Sequence, residues 1–138
     1  MKIKNKKAIV ISFKNLNDLE KDLLDVFKSR TPLIQPKNTI YFDHINSFRS
    51  FMTFQKLEIL AITAKLKPKS IYELAQMLGR SLAPVQKDCQ ILERTGFIKL
   101  KKEKGGRGTL TPYLKFDYDR IIIKIPKHAL ELKFKSVA

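Results

Sequence analysis

Cysteine is nearly absent from this 138-residue chain. Cys89 stands alone, which excludes an intramolecular disulfide framework and fits a reducing compartment. The two histidines, His44 and His128, stand far apart with no cysteine near either, so the sequence argues against a bound metal. Five glycines and six prolines are too few for a collagen-like or low-complexity chain. Long apolar runs are missing too. Residues 8–11 with Phe13 are shorter than a signal-peptide core and far short of a bilayer span, so the expectation is a soluble, cytoplasmic protein with no membrane partner. Acidic side chains are the last shortage: 13 Asp and Glu stand against 28 Lys and Arg, a net charge of +15 with a pI near 10.0.

Such a charge excess points to a polyanionic partner, because the field speeds association with nucleic acid and supplies the sequence-independent part of the affinity. Membrane surfaces and acidic proteins satisfy the same arithmetic. Catalysis finds no support: no Ser or Cys nucleophile lies beside a His, no glycine loop would cradle a phosphate, and Asp117 and Asp119 read as a turn into Ile121-Ile122-Ile123. The expectation is therefore a non-enzyme with no cofactor. With 43% hydrophobic residues, a chain of this length can bury a core without disulfides or metal.

The most basic third is the last, where Lys99, Lys101, Lys102, Lys104 and Arg107 gather around Gly105-Gly106-Arg107-Gly108. Alternation on both sides of that cluster predicts a β-hairpin, with Ile98 and Leu100 facing one way and Lys99 and Lys101 the other, and with Leu110, Pro112, Leu114 and Phe116 on the returning strand. Three helical patterns precede it. Thr53 can cap a helix with apolar positions Phe54, Leu57, Leu60, Ala61 and Ala64, ended by Pro68. Ser70-Ile71-Tyr72-Glu73 is a capping box, followed by the stripe Ile71, Leu74, Ala75 and Leu78, with Gly79 suited to a left-handed stop. Ser81 can cap a third helix carrying Leu82, Val85, Cys89 and Leu92 on one face and ending at Gly96. Together they spell helix, tight turn, helix, basic hairpin.

Upstream, residues 8–13 read as a strand and Leu16, Leu19, Leu23, Val26 and Phe27 as a helix. Residues 39–43 read as a second strand, and Ile45, Phe48 and Met52 as a short helix. Residues 29–38, with Pro32 and Pro36, are the best candidate linker. After Pro126 the alternation Leu130, Leu132, Phe134 is a strand pattern without an evident partner. The domains expected are a strand-helix extension at 1–38, a main domain at 39–125 and a tail at 126–138.

With Val85 at zero and 100° per residue, Cys89, Leu92 and Leu82 fall within about 60° of the core direction. Ala83, Gln86, Lys87, Gln90 and Arg94 fall at about 160°, 100°, 200°, 140° and 180°. That outer face is small and polar, and glutamine can pair bidentately with adenine in the major groove. Cys89, on the apolar side with no His nearby, reads as a core thiol rather than an oxidant sensor. Asp88, near the edge of the buried face, reads as a structural partner for Arg80 or for a backbone amide.

The order of these elements resembles the winged helix-turn-helix transcriptional regulators of the MarR and ArsR kind. The likeness is closer to a family of small prokaryotic winged-helix DNA-binding proteins. It rests on Met52-Thr53 with Lys56-Leu57 and Leu60, Ser70-Ile71-Tyr72-Glu73-Leu74-Ala75, Leu78-Gly79-Arg80, Val85, Lys87-Asp88, Leu92-Glu93, Gly96-Phe97 and the closing Phe116-Asp117-Tyr118-Asp119-Arg120-Ile121. One departure is Ala83-Pro84 early in the third helix, where such proteins often carry polar or basic residues; Pro84 suits a first turn but leaves fewer side chains to read bases.

What the resemblance implies is an α+β winged helix-turn-helix with an N-terminal strand-helix extension. It would act as a homodimeric regulator, a repressor of transcription, on double-stranded DNA. Ser81, Ala83, Gln86, Lys87, Gln90 and Arg94 would face the major groove, with Lys101, Lys102, Lys104 and Arg107 of the hairpin on phosphates or the adjacent minor groove. The alternatives are an antitoxin or other protein-interaction module gripping a toxin or similar partner, and a plasmid replication or partition protein. RNA binding is disfavoured, because no aromatics stand ready to stack bases on a basic sheet.

Overall fold

A computed structural model describes residues 7–29, 38–103, 109–125 and 127. The contacts divide the chain into two compact units, residues 1–51 with 119–138 and residues 52–118.

The first unit is built on a parallel sheet. Strand β1 (Ala8–Phe13) lies between β2 (Thr39–Phe42) and β5 (Arg120–Ile123), in the order β2-β1-β5. Val10 to Phe13 pair with Thr39 to Phe42, and Ala8 to Ile11 with Arg120 to Ile123. A central parallel strand is covered on both faces and reads as a continuous apolar run; accordingly Ala8, Ile9 and Ile11 are buried. Helix α1 (Leu16–Ser29) joins β1 to the connector before β2. Asn15 accepts from the Asp18 amide and Asp18 from the Asn15 amide, a reciprocal cap. Helix α2 (Ile45–Phe51) buries Phe48 edge-on against Phe13 and Phe42, and Phe51 also meets Phe42.

The second unit holds α3 (Phe54–Leu66), α4 (Ile71–Leu78), α5 (Leu82–Thr95) and the antiparallel pair β3 (Ile98–Lys102) and β4 (Leu110–Leu114). Its core is Ile59 and Leu60 of α3, Ile71, Leu74 and Ala75 of α4, Val85, Cys89 and Leu92 of α5, with Phe97, Ile98 and Tyr118. Thr53 caps α3 by accepting from the Lys56 amide, and Ser70 caps α4 by accepting from the Glu73 amide. Helix α3 stops at Lys67, a left-handed residue (φ 47°) ahead of the buried Pro68. A helical core followed by a β-hairpin wing, with a strand-helix extension in front, is the winged helix-turn-helix architecture in an α+β chain.

Three expectations are corrected. Of the α3 stripe read as Phe54, Leu57, Leu60, Ala61 and Ala64, Leu60 is buried as expected but the other four are exposed, Phe54 by 74%; the buried side is Leu60 with Lys56, Ile59 and Thr63. Apolar residues surround α3 nearly evenly, so periodicity could not choose the face. Leu82 is 42% exposed rather than core, because it opens the first turn of α5. Ser81 takes the extended N-cap conformation but its side chain makes no capping hydrogen bond. The proposed linker prolines Pro32 and Pro36, the hairpin tip at 105–108, His128 and the tail residues Leu130, Leu132 and Phe134 lie outside the described residues.

Candidate nucleic-acid interface

The α4–α5 turn sets the direction of α5. Gly79 sits at φ 67°, a conformation that costs a residue with a Cβ but not glycine. Its amide donates to the Gln76 carbonyl and the Arg80 amide to the Ala75 carbonyl, closing α4 as a Schellman-type stop. Arg80 then reaches forward, and its Nη2 donates to the Asp88 carboxylate at 3.0 Å with both side chains less than one-fifth exposed. This pair ties the turn to the second turn of α5, the structural role read for Asp88. Nη1 of the same guanidinium is buried with no hydrogen-bond partner among the described residues.

The far end of α5 is fixed as firmly. Gly96 (φ 104°) ends it, and the Gly96 and Phe97 amides both donate to the Leu92 carbonyl. Glu93 accepts from the Leu100 amide at 2.8 Å, which joins the last turn of the helix to β3. The Tyr118 hydroxyl, its pKa raised by burial, donates to the Phe97 carbonyl at 3.0 Å. Thr111 of β4 donates to the Lys69 carbonyl at 2.6 Å, anchoring the hairpin to the α3–α4 turn. That bond explains why Thr111 is buried against the alternation of its strand.

Held at both ends, α5 buries Val85, Cys89 and Leu92. The six residues singled out on the opposite side, Ser81, Ala83, Gln86, Lys87, Gln90 and Arg94, are all exposed. Cys89 is fully buried, and desolvation, with the Asp88 charge second, pushes its thiol up to about 12. A thiol so far from ionising is a poor nucleophile at neutral pH.

In the hairpin, Lys101 and Lys102 are exposed and Lys99 is half-buried, opposite Tyr113. The Lys101 Nζ lies over the Tyr113 ring, 5.6 Å from its centre, while the Tyr113 hydroxyl donates to Glu103. Sequence reasoning missed Tyr113; the signal was an aromatic diagonal to a lysine across an antiparallel pair, within reach of a long side chain. Lys104 and Arg107 lie outside the described residues.

An open cleft of about 540 Å³ separates the end of α3 from β4, with Lys67, Lys69 and Lys99 among its lining. Among the described residues, no group of three or more His, Cys, Asp and Glu side chains could hold a metal ion. No helix among them is long and apolar enough to cross a membrane.

Comparison with known proteins places these elements in a family. No curated protein sequence matches the chain significantly. Among solved structures it is similar to Streptococcus pneumoniae FabT in complex with DNA, at 12% identity and a TM-score of 0.43 over 89% of this chain and 78% of that one. A disulfide-formed AbfR gives 11%, 0.41, 88% and 77% in the same order. A MarR-like transcriptional regulator (tm0816) from Thermotoga maritima gives 17%, 0.42, 89% and 73%. The HVO_A0114 family model matches residues 51–123, which span α3 to β5 and so include the whole helix-turn-helix and its hairpin; this chain belongs to the HVO_A0114 family.

Proposed function

We propose that this protein is a sequence-specific regulator of transcription that binds duplex DNA as a dimer and represses by occupying its site, without enzymatic activity. The observation that carries the reading is the outer face of α5. It presents Ser81, Ala83, Gln86, Lys87, Gln90 and Arg94 to solvent on a helix clamped by the Arg80–Asp88 pair and by Glu93. Gln86 and Gln90 stand one turn apart, about 6 Å along the axis, and an amide side chain can donate and accept together at an adenine edge. Lys87 and Arg94 add charge on the same face, and Lys101 and Lys102 of the hairpin, with Lys104 and Arg107 beyond them in sequence, would hold phosphates.

One such module makes a narrow contact, so a dimer reading two half-sites supplies the affinity and the palindromic spacing a regulator needs. Selection of bound sequences from random duplex DNA at two salt concentrations tests the reading. The expected outcome is a consensus with two half-sites about 10 base pairs apart. Recovery of no consensus at either salt would contradict sequence-specific regulation.

A second reading, an antitoxin or another module that grips a protein partner, is favoured by the apolar side chains exposed on α1 and α3. A protein that co-purifies from its native cell at fixed stoichiometry, and whose removal leaves DNA binding unaltered, would support it.

A further inference from the structure

The cleft between the end of α3 and β4 holds two features that each cost the fold stability. Thr63 lines it and is only 4% exposed, yet its hydroxyl has no hydrogen-bond partner among the described residues. A buried hydroxyl left unpaired forfeits the bonds it made to water. One turn on, Lys67 also lines the cleft and takes the left-handed conformation (φ 47°), the one residue other than glycine to do so among the described residues. A Cβ is strained there, and glycine is the usual occupant of such a helix stop. Strained backbone of this kind clusters at binding sites.

The walls define what the cleft can hold. Lys67, Lys69 and Lys99 face a single carboxylate, Asp117, which leaves three lysines against one aspartate and a net charge of +2. The Thr111 hydroxyl of β4 bonds the Lys69 carbonyl, and Tyr113, two residues on, pairs with Lys99, so the α3–α4 turn and the hairpin hold these lysines beside one another. The carbonyl end of α3 carries about half a negative charge and the amide end of α4 about half a positive one, so the lysines decide the sign. Phe116 and Tyr118 supply an aromatic corner, with ring centres 5.2 Å apart and planes at 62°, against which a flat group can pack. The volume of about 540 Å³ suits a small molecule.

We propose that this cleft binds a flat aromatic group carrying a phosphate monoester, a nucleoside monophosphate or an aryl phosphate. At neutral pH such a phosphate approaches a dianion and matches the charge of the walls, where a carboxylate would balance only half of it. The ring packs in the corner of Phe116 and Tyr118, and the Thr63 hydroxyl donates to a phosphate oxygen. The site lies apart from the outer face of α5 and holds whether or not that face reads DNA.

Isothermal titration calorimetry of the full chain with AMP, phenyl phosphate, inorganic phosphate, adenosine and benzoate tests the proposal. AMP or phenyl phosphate should bind at one per chain and about tenfold tighter than phosphate, adenosine or benzoate, each of which lacks the ring, the charge or half of the charge. Whichever of the two binds tighter tells the nucleoside source from the simple aryl one. Thr63→Val and Lys67→Gly should each weaken that ligand about tenfold while raising the melting temperature of the ligand-free chain, because each removes a cost to the fold together with a contact. Lys99→Gln should weaken it about tenfold through a lost charge-assisted bond. Lys102→Gln, exposed on β3 and outside the cleft, should leave affinity within about twofold, because the general positive field of the chain is screened by salt.

Failure of both AMP and phenyl phosphate to saturate the chain at millimolar concentration would overturn the proposal. So would phosphate, adenosine or benzoate binding as tightly as either, or equal losses in Lys99→Gln and Lys102→Gln. Thr63→Val and Lys67→Gly binding unchanged, or losing affinity only together with stability, would overturn it as well.

Discussion

At the scale of the residue, two buried groups in the recognition unit make the account testable. Arg80 and Asp88 form an ion pair shielded from solvent, and removing one partner strands the other's charge. Arg80→Met should therefore lower stability by about 2 kcal/mol in urea unfolding, whereas Asp88→Asn with Arg80→Met should recover part of that loss, because no lone carboxylate remains.

Cys89 gives a pH signature. Its thiol rises from an ordinary 9.0 to about 12 in the folded chain, so the folded state holds this proton more tightly than the unfolded one. The stability it contributes is complete below pH 9 and is lost as pH climbs toward 12, at about 1.4 kcal/mol per unit. Unfolding free energy should fall more steeply over that window than in Cys89→Ala, and parallel curves would contradict the shift. Cys89 and Asp88 were both legible from their angles on a helical wheel, since α5 has one clear apolar stripe. Tyr113 was not, because its role depends on a neighbour across the hairpin.

At the scale of the element, caps and stops were the most readable features. Ser70 and Gly79 act through their own hydrogen bonds and backbone, which sequence states directly. Ser70→Ala should cost about 1 kcal/mol through the lost cap. Gly79→Ala should cost about 1 kcal/mol through its left-handed backbone alone, since an added Cβ meets nothing within 4 Å.

The face of α3 was only partly readable: Leu60 was in the stripe read, but apolar residues surround that helix and only tertiary packing chooses Ile59 over Phe54 and Leu57. The elements of the proposed interface should also separate in their effects. Gln90→Ala should weaken the preferred DNA site by about 1–3 kcal/mol and relax preference at one position, leaving non-specific binding intact. Lys102→Ala should weaken all sequences about equally and reduce the salt slope by about one unit. A competition assay with specific and random duplexes distinguishes the two; equal losses on both duplexes for Gln90→Ala would remove it from base reading.

At the scale of the whole molecule, the architecture was legible where contacts are local and hidden where they are remote. Helix, turn, helix and hairpin follow one another within residues 52–118, and their order alone spells the winged helix. The strands at 8–13 and 39–42 were also visible as strands, and residues 121–123 as an apolar run after a turn. Their pairing was not, because β1 joins β5 across more than 100 residues and nothing in a short apolar run names its neighbour. That parallel sheet brings β5 back beside β1. The exposed apolar side of α1 belongs to the same blind spot: a leucine stripe predicts a helix whether or not that side packs against anything.

Charge is the other molecular property. A net +15 would supply affinity for a polyanion but not selectivity, so the central proposal, that the basic hairpin and α5 engage DNA phosphates while α5 reads the bases, must survive a change of ionic strength. The direct measurement is the affinity for duplex DNA across a salt series. Each neutralised phosphate releases condensed counterions, so with four to seven contacts the log-log slope should be roughly −4 to −6 per bound subunit. A slope near zero, with affinity unchanged as salt rises, would contradict the account.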